Sequence, residues 1–398
     1  MNNIFKYFLY ILFGFIVLRL PHGTPLLAKV FDISIILGFV ITIICSIQYY
    51  PTLKQSTKGA YVFLVGLPVF LIISRLMNGY SLTMESIVRG FMYPIMLINL
   101  FTIIMSNDLW GKLKAIDFIL TTFVFINFIN VILYPNGWYS SQTYDLNWFL
   151  GYKNVMIRTL LPALIINAIL AFHEYGKLRA KNIILYIICL LTTLFSQSST
   201  SLVMIVLYGL LIIAVPIIKK IKYYSLTTVF LIHFILAVAI VLFNFQERYA
   251  SFFEEELDRD VTFTGRTFIW EYGLIKVLQS PIIGYGYHSG LEWNKILGDF
   301  GSLTLSHPHN FLLYSLLEGG IVYLGLYIVL LIYITVYTWK QRQSLELYLL
   351  TTMYFVFFIG GISESLTECP LMLPMLGLFI TIFNYKREYE NNRISYTN

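Results

Sequence analysis

The residues best suited to chemistry sit in two short runs of one polar segment. They are Thr264-Gly265-Arg266-Thr267-Phe268-Ile269-Trp270 and His307-Pro308-His309-Asn310-Phe311-Leu312. An arginine guanidinium keeps its charge in any protein and grips phosphate oxygens through two parallel hydrogen bonds. Arg266 could do this, or it could stack on Trp270, four residues on along the same helix face, as a cation–π pair. His309 stands where the polar segment enters an apolar stretch, with Leu312, Leu313 and Leu316 on its helix face. A histidine there takes or gives a proton near neutral pH, or donates to phosphate as a cation. Asn310 offers a donor and an acceptor to a sugar or a phosphate. The plainer alternative is a helix-capping Asn310 beside an idle His309. Glu318 is half a helical turn out of phase with His309, so the two are not paired as base and orienter.

Two further groups qualify by position. Arg158 follows Phe149-Leu150-Gly151-Tyr152-Lys153-Asn154 and precedes Leu160-Leu161-Pro162. A cation facing a bundle interior near a membrane interface marks a ligand or a pathway; the alternative is snorkelling to headgroups. For Arg75, Arg89 and Lys153 the snorkelling reading is favoured. His307 and His309, two apart with Pro308 between them and no third ligand in view, do not make a metal site, and no metal is expected.

These residues must be held by their surroundings. The polar segment, Gln246 to Asn310, is the one long interruption in a chain of apolar runs. Within it, Gly265 to Gln279 carries Phe268, Ile269, Tyr272 and Ile275 at helical spacing and stops at Ser280-Pro281. That pattern predicts an amphipathic helix at the membrane surface with those four on its apolar face. Glu254-Glu255-Glu256, Asp258 and Asp260 suit a solvated acidic face, since a hard cation needs convergent carboxylates.

Outside this segment the chain is apolar. Of 398 residues, 58% are hydrophobic and 12% charged, with mean hydropathy +0.74. A soluble protein carries roughly a quarter charged residues. Apolar runs long enough to cross about 30 Å of hydrocarbon recur throughout. They predict an all-α, polytopic membrane bundle of about 12 spans: 4–20, 31–50, 59–77, 87–105, 116–134, 155–173, 182–197, 201–218, 226–245, 310–338, 346–362 and 369–385. The tenth is expected to break at Glu318-Gly319-Gly320. Met1–Leu20 lacks a small-residue cleavage site and is expected to be an uncleaved first helix. The whole chain, 1–398, is expected to be one membrane domain with 246–309 as its cap.

Sixteen of the 27 Lys and Arg residues fall in loops on the side of the N-terminus. The positive-inside rule then puts both termini in the cytoplasm and the 246–309 loop outside. The net charge of +6 belongs to those cytoplasmic loops, and no basic run suits nucleic acid. Three scattered cysteines make neither a disulfide framework nor a zinc spacing. The chain has no Walker A, GxGxxG, HExxH or GxSxG motif, so nucleotide, dinucleotide, zincin and serine-hydrolase chemistry lack support.

Several of these runs together resemble the bacterial O-antigen polymerase (Wzy-type) and O-antigen ligase superfamily. They are Phe149-Leu150-Gly151-Tyr152-Lys153-Asn154, Ser196-Gln197-Ser198-Ser199-Thr200-Ser201, Thr264-Gly265-Arg266 through Trp270, Pro281-Ile282-Ile283-Gly284-Tyr285-Gly286, His309-Asn310-Phe311-Leu312 and Gly319-Gly320. The resemblance implies a GT-C-like membrane fold and a metal-independent, inverting glycosyltransferase without a cofactor, working at the bacterial cytoplasmic membrane. Its donor and acceptor would be undecaprenyl-diphosphate-linked glycans, with a flippase and a chain-length regulator as partners beside membrane lipid. It implies that Arg266 binds the diphosphate, that His309 sits at the reacting sugar and that Arg158 is a second phosphate-binding arginine. Lys153, Asn154 and Asn310 would contact substrate. The expected activity is polymerisation of repeat units into capsule or O-antigen. Ligase-type transfer to another acceptor, or a lipid-linked oligosaccharide flippase, are the alternatives.

Overall fold

The computed structural model describes residues 25–140, 146–218, 220–243, 266–300, 303–304, 308–341, 344–365 and 371–395. The expected first span, the acidic run at 254–260, Gly265 and His307 lie outside the described residues. Single turns aside, the helices are α1 (Pro25–Tyr49), α2 (Gln55–Met77), α3 (Ser86–Ile104, with π-helical turns at both ends), α4 (Leu109–Leu133) and α5 (Ile157–Tyr175). They continue with α6 (Ala180–Phe195), α7 (Ser199–Ile213), α8 (Leu226–Val241), α9 (Arg266–Gln279), α10 (Gly290–Leu297), α11 (Phe311–Thr338), α12 (Leu345–Gly360) and α13 (Met372–Ser395). Two antiparallel two-residue strand pairs are the extended structure among the described residues.

Among the described residues, six helices are long and apolar enough to cross a membrane, and four more are apolar but shorter, α6, α7, α8 and α12. The chain is therefore a multi-pass helical membrane protein, though the described residues do not supply twelve full-length spans. Burial separates an inner from an outer layer. Every residue from Leu160 to Ala171 of α5 is buried, as is the run Glu346 to Tyr354 of α12. On α1, by contrast, Ile33, Leu37, Val40, Ile44 and Ile47 are exposed at three- and four-residue spacing. An exposed apolar stripe on a spanning helix faces lipid, which satisfies it as well as protein would.

α11 breaks where expected. Gly320 has φ 60° and ψ −161°, which ends the regular ladder inside the helix. A break in a spanning helix survives only where other groups pair the released backbone. The turn after α9 does this. Tyr285 and Gly286 amides donate to the Leu317 and Glu318 carbonyls at 2.8 and 2.7 Å, and the Ile321 and Val322 amides donate to Pro281 and Ile282 at 2.9 and 3.1 Å. Glycine is needed at 284, where φ is +63° and a Cβ would strike the Glu318–Gly319 backbone. The Pro281 to Gly286 run thus splices the broken helix.

Candidate active site

Three local devices bring distant residues together at one end of the bundle. In the α4–α5 link, Asn127 and Asn130 accept from the Leu150 and Phe149 amides at 2.8 and 3.0 Å, and Trp148 donates through Nε1 to Tyr134 at 2.7 Å. Gly151 then turns with φ +94° and delivers Asn154 in front of α5. At the start of α11, Asn310 caps the helix by accepting from the Leu313 amide at 3.0 Å. Its Nδ2 donates to Ile362 at 2.9 Å, and the Phe311 amide donates to Gly361 at 2.7 Å. Those bonds register His309 against the segment that follows α12. His309 itself is held at φ 49°, a left-handed conformation uncommon for a non-glycine residue.

The segment after α12 supplies the hub, the carboxylate of Glu364. Its Oε1 accepts from Arg266 Nη2 at 2.9 Å and from Asn154 Nδ2 at 2.8 Å, while Oε2 faces His309 Nδ1 at 3.3 Å. Arg266 Nη1 also donates to the Ser363 carbonyl. Ser198 donates to Asn154 Oδ1 at 2.8 Å and meets the Ser201 hydroxyl at 2.7 Å, which orients the Asn154 amide. Arg158 approaches from the other side, its Nη2 3.4 Å from the Ser365 carbonyl. Side-chain exposures of 10% for Glu364, 18% for Arg266 and 27% for His309 describe a recessed site open to an incoming group.

The field is favourable to anions. The N-termini of α5, α7, α9 and α11 all lead into this cluster, through Asn154, Ser198, Arg266 and His309 respectively. Each presents a partial positive charge in addition to the two guanidinium groups. Burial, reinforced by the Glu364 charge, pushes the Tyr152 phenol up, so it stays neutral beside Arg266. Among the described residues, no group of three or more His, Cys, Asp or Glu is placed to hold a metal ion.

A second polar cluster lies in the turn that splices α11. Arg75, 2% exposed, makes a bidentate pair with Glu292 at 2.7 and 3.0 Å. It also donates to the Ser81 and Tyr287 carbonyls at 2.9 and 2.7 Å and meets His288 Nδ1 at 2.9 Å. Arg75 is therefore a clamp within the protein, where snorkelling was expected. Arg89 likewise pairs with Glu85 and Asp32.

The structure brings Arg266, His309, Asn154 and Arg158 to one place, but it uses Asn310 differently. Asn310, expected to contact substrate, is fully buried, with both ends of its amide engaged in capping and in the Ile362 contact. Lys153 contributes its carbonyl to Ser201 at 3.4 Å. Arg266 turns to Glu364, and Trp270 is buried. The helix after Gly265 forms as predicted, with Thr267, Trp270, Gly273 and Val277 buried against the protein and Phe268 and Ile275 exposed. The residue that sequence reasoning missed is Glu364. Its one signal was an acid directly after an apolar span, in Gly360-Gly361-Ile362-Ser363-Glu364.

Residues 184–328 match the Wzy_C family model, described as O-Antigen ligase. A protein of Rickettsia typhi named "Putative polysaccharide ligase" is 34% identical over 161 residues, 38% of this chain and 39% of the relative. An "O-antigen ligase" of Pseudomonas aeruginosa is 29% identical over 140 residues, 35% of this chain and 32% of the relative. The chain thus spans well under half the length of the curated relatives it matches. No solved structure matches it significantly.

Proposed function

We propose that this chain, a multi-pass membrane protein whose residues 184–328 match the O-antigen ligase family model, moves a glycan from a lipid diphosphate to the hydroxyl of a separate acceptor. The observation that supports this is the convergence of Arg266, Arg158 and His309 at the starts of three helices around Glu364. Polymerisation of repeat units is the alternative; the relatives' names favour ligation.

The donor diphosphate lies against Arg266 and Arg158. His309 Nε2, with Nδ1 turned to Glu364, takes the proton of the acceptor hydroxyl. The acceptor oxygen attacks the anomeric carbon as the bond to the diphosphate breaks, and the departing electron pair stays on the phosphate oxygen. Preorganised cations stabilise the charge that develops there, commonly the largest contribution to catalysis, and burial between helices aligns the partners. Undecaprenyl diphosphate is the proposed carrier, and the outer face of the cytoplasmic membrane the proposed location. A flippase and a chain-length regulator are proposed partners.

Loss of the gene separates the readings by where glycan accumulates. With ligase loss, long chains should remain on the lipid carrier. Polymerase loss would leave single repeat units exported, and flippase loss would leave them inside; either pattern would overturn ligation. Location has its own test. In a chain lacking Cys45, Cys189 and Cys369, Lys295→Cys on the exposed side of α10 should react with an impermeant thiol reagent applied to intact cells. Labelling only after lysis would place the site in the cytoplasm.

A further inference from the structure

Glu364 has a place in the cluster that substrate binding alone does not require. One nearly buried carboxylate serves two groups with separate tasks: Oε1 neutralises Arg266, the proposed diphosphate ligand, and Oε2 faces His309, the proposed base. We propose that Glu364 is a positioning residue that couples the two, holding Arg266 in place until a lipid diphosphate displaces it and then orienting His309 for proton abstraction. This rests on the ligase reading and deepens it.

The geometry favours an exchange of partners. Arg266 enters the cluster at the first turn of α9, and a diphosphate at the same guanidinium competes directly with the Glu364 carboxylate. Glu364 cannot follow Arg266 outward. Asn154 holds Oε1 at 2.8 Å and is itself fixed by Ser198. His309 cannot swing away either, because the Phe311 amide and Asn310 bind the carbonyls of Gly361 and Ile362, just before Glu364. Once Arg266 turns to phosphate, the full carboxylate charge is available to the imidazole. A carboxylate at Nδ1 fixes the tautomer with its proton on Nδ1, leaves Nε2 free to accept, and stabilises the imidazolium that forms. Without donor the carboxylate is shared with Arg266, and less of its charge falls on His309. The acceptor is therefore activated only when a leaving group is in place. Among the described residues, the charged and titratable groups facing the pair include Arg266 from α9, Tyr152 and Arg158 from before and within α5, and Glu364 itself.

The test uses the purified full chain in liposomes, with an undecaprenyl-diphosphate-linked glycan as donor and a saccharide acceptor. Glu364→Gln keeps the shape and an oxygen acceptor, but its NH2 can face Nδ1 only if the ring proton moves to Nε2, the wrong tautomer for a base. The expected result is a fall of about 100-fold or more in kcat. Donor KM should stay unchanged or fall, because Arg266 is no longer neutralised. Glu364→Asp should recover part of kcat. A second measurement does not need turnover. Undecaprenyl diphosphate alone should raise the thermal midpoint of Glu364→Gln at least as much as that of the wild type. Wild-type kcat in Glu364→Gln, or loss of diphosphate binding, overturns the coupling. A wild-type chain that transfers nothing defeats the ligase reading instead.

Discussion

Replacing Arg266 with alanine should lower glycan transfer by about 100- to 1,000-fold, the usual cost of removing one preorganised group aimed at developing charge. The substitution removes a cation and also leaves the Glu364 carboxylate bare where a diphosphate must sit, so donor binding should weaken as well. Arg266→Lys restores charge without the two-pronged geometry and should recover only part of the rate. His309→Ala should cost about 100- to 10,000-fold, the range for losing a positioned acid–base group. In that variant donor binding should persist, because Arg266 and Arg158 remain. Joining the two substitutions should cost much less than the product of the single effects, since groups acting as one unit are not additive. All three quantities come from initial rates and donor titration on purified protein. Near-normal transfer by both single variants would remove the cluster from the chemistry.

The second large effect concerns stability. Arg75→Leu should destabilise the protein by about 3–5 kcal/mol, because it strands Glu292 and releases two carbonyls from a buried cation. The site of damage is the turn from Pro281 to Glu292, which splices α11 at Gly320, so the loss should appear as a lower thermal midpoint. The pair also predicts a pH dependence. The hydrogen bonds and charge of Arg75 hold the Glu292 carboxyl down at about 2. A depressed carboxylate contributes stability above its unfolded value of about 4.3, and that contribution fades as pH falls toward the folded value. Burial and the Arg75 charge also push the His288 imidazole down, keeping its Nδ1 an acceptor for Arg75. Wild-type midpoints should therefore decline between about pH 4.5 and pH 2. Arg75→Leu, lacking the pair, should lose this component of the decline. Equal acid sensitivity in both proteins would show that the clamp does not act as described.

What could be learned from the chain alone follows the range of the forces involved. Hydropathy is local and cumulative, so the all-helical membrane bundle was legible, as was the break at Gly319-Gly320. Span number was less so, because α6, α7, α8 and α12 are apolar but short, and composition alone does not show which helices cross. The apolar spacing of α9 pointed to a membrane-facing side, where Phe268 and Ile275 are indeed exposed, but it did not show that the opposite side packs through Thr267, Trp270, Gly273 and Val277. Asn310 was a balanced choice between ligand and cap until its neighbours were seen. Glu364 was invisible for a simple reason. It lies 98 residues from Arg266 and 55 from His309, and a lone acid after an apolar run has no spacing to betray its partners.

The most direct measurement places purified protein in liposomes with an undecaprenyl-diphosphate-linked glycan and a saccharide acceptor, and follows both products together. Wild type should release one undecaprenyl diphosphate for each glycan joined to the acceptor, with inverted anomeric configuration, and Arg266→Ala should do neither at a comparable rate. Release without joining, or equal turnover by wild type and Arg266→Ala, would contradict diphosphate-driven transfer at the Arg266–Glu364–His309 cluster.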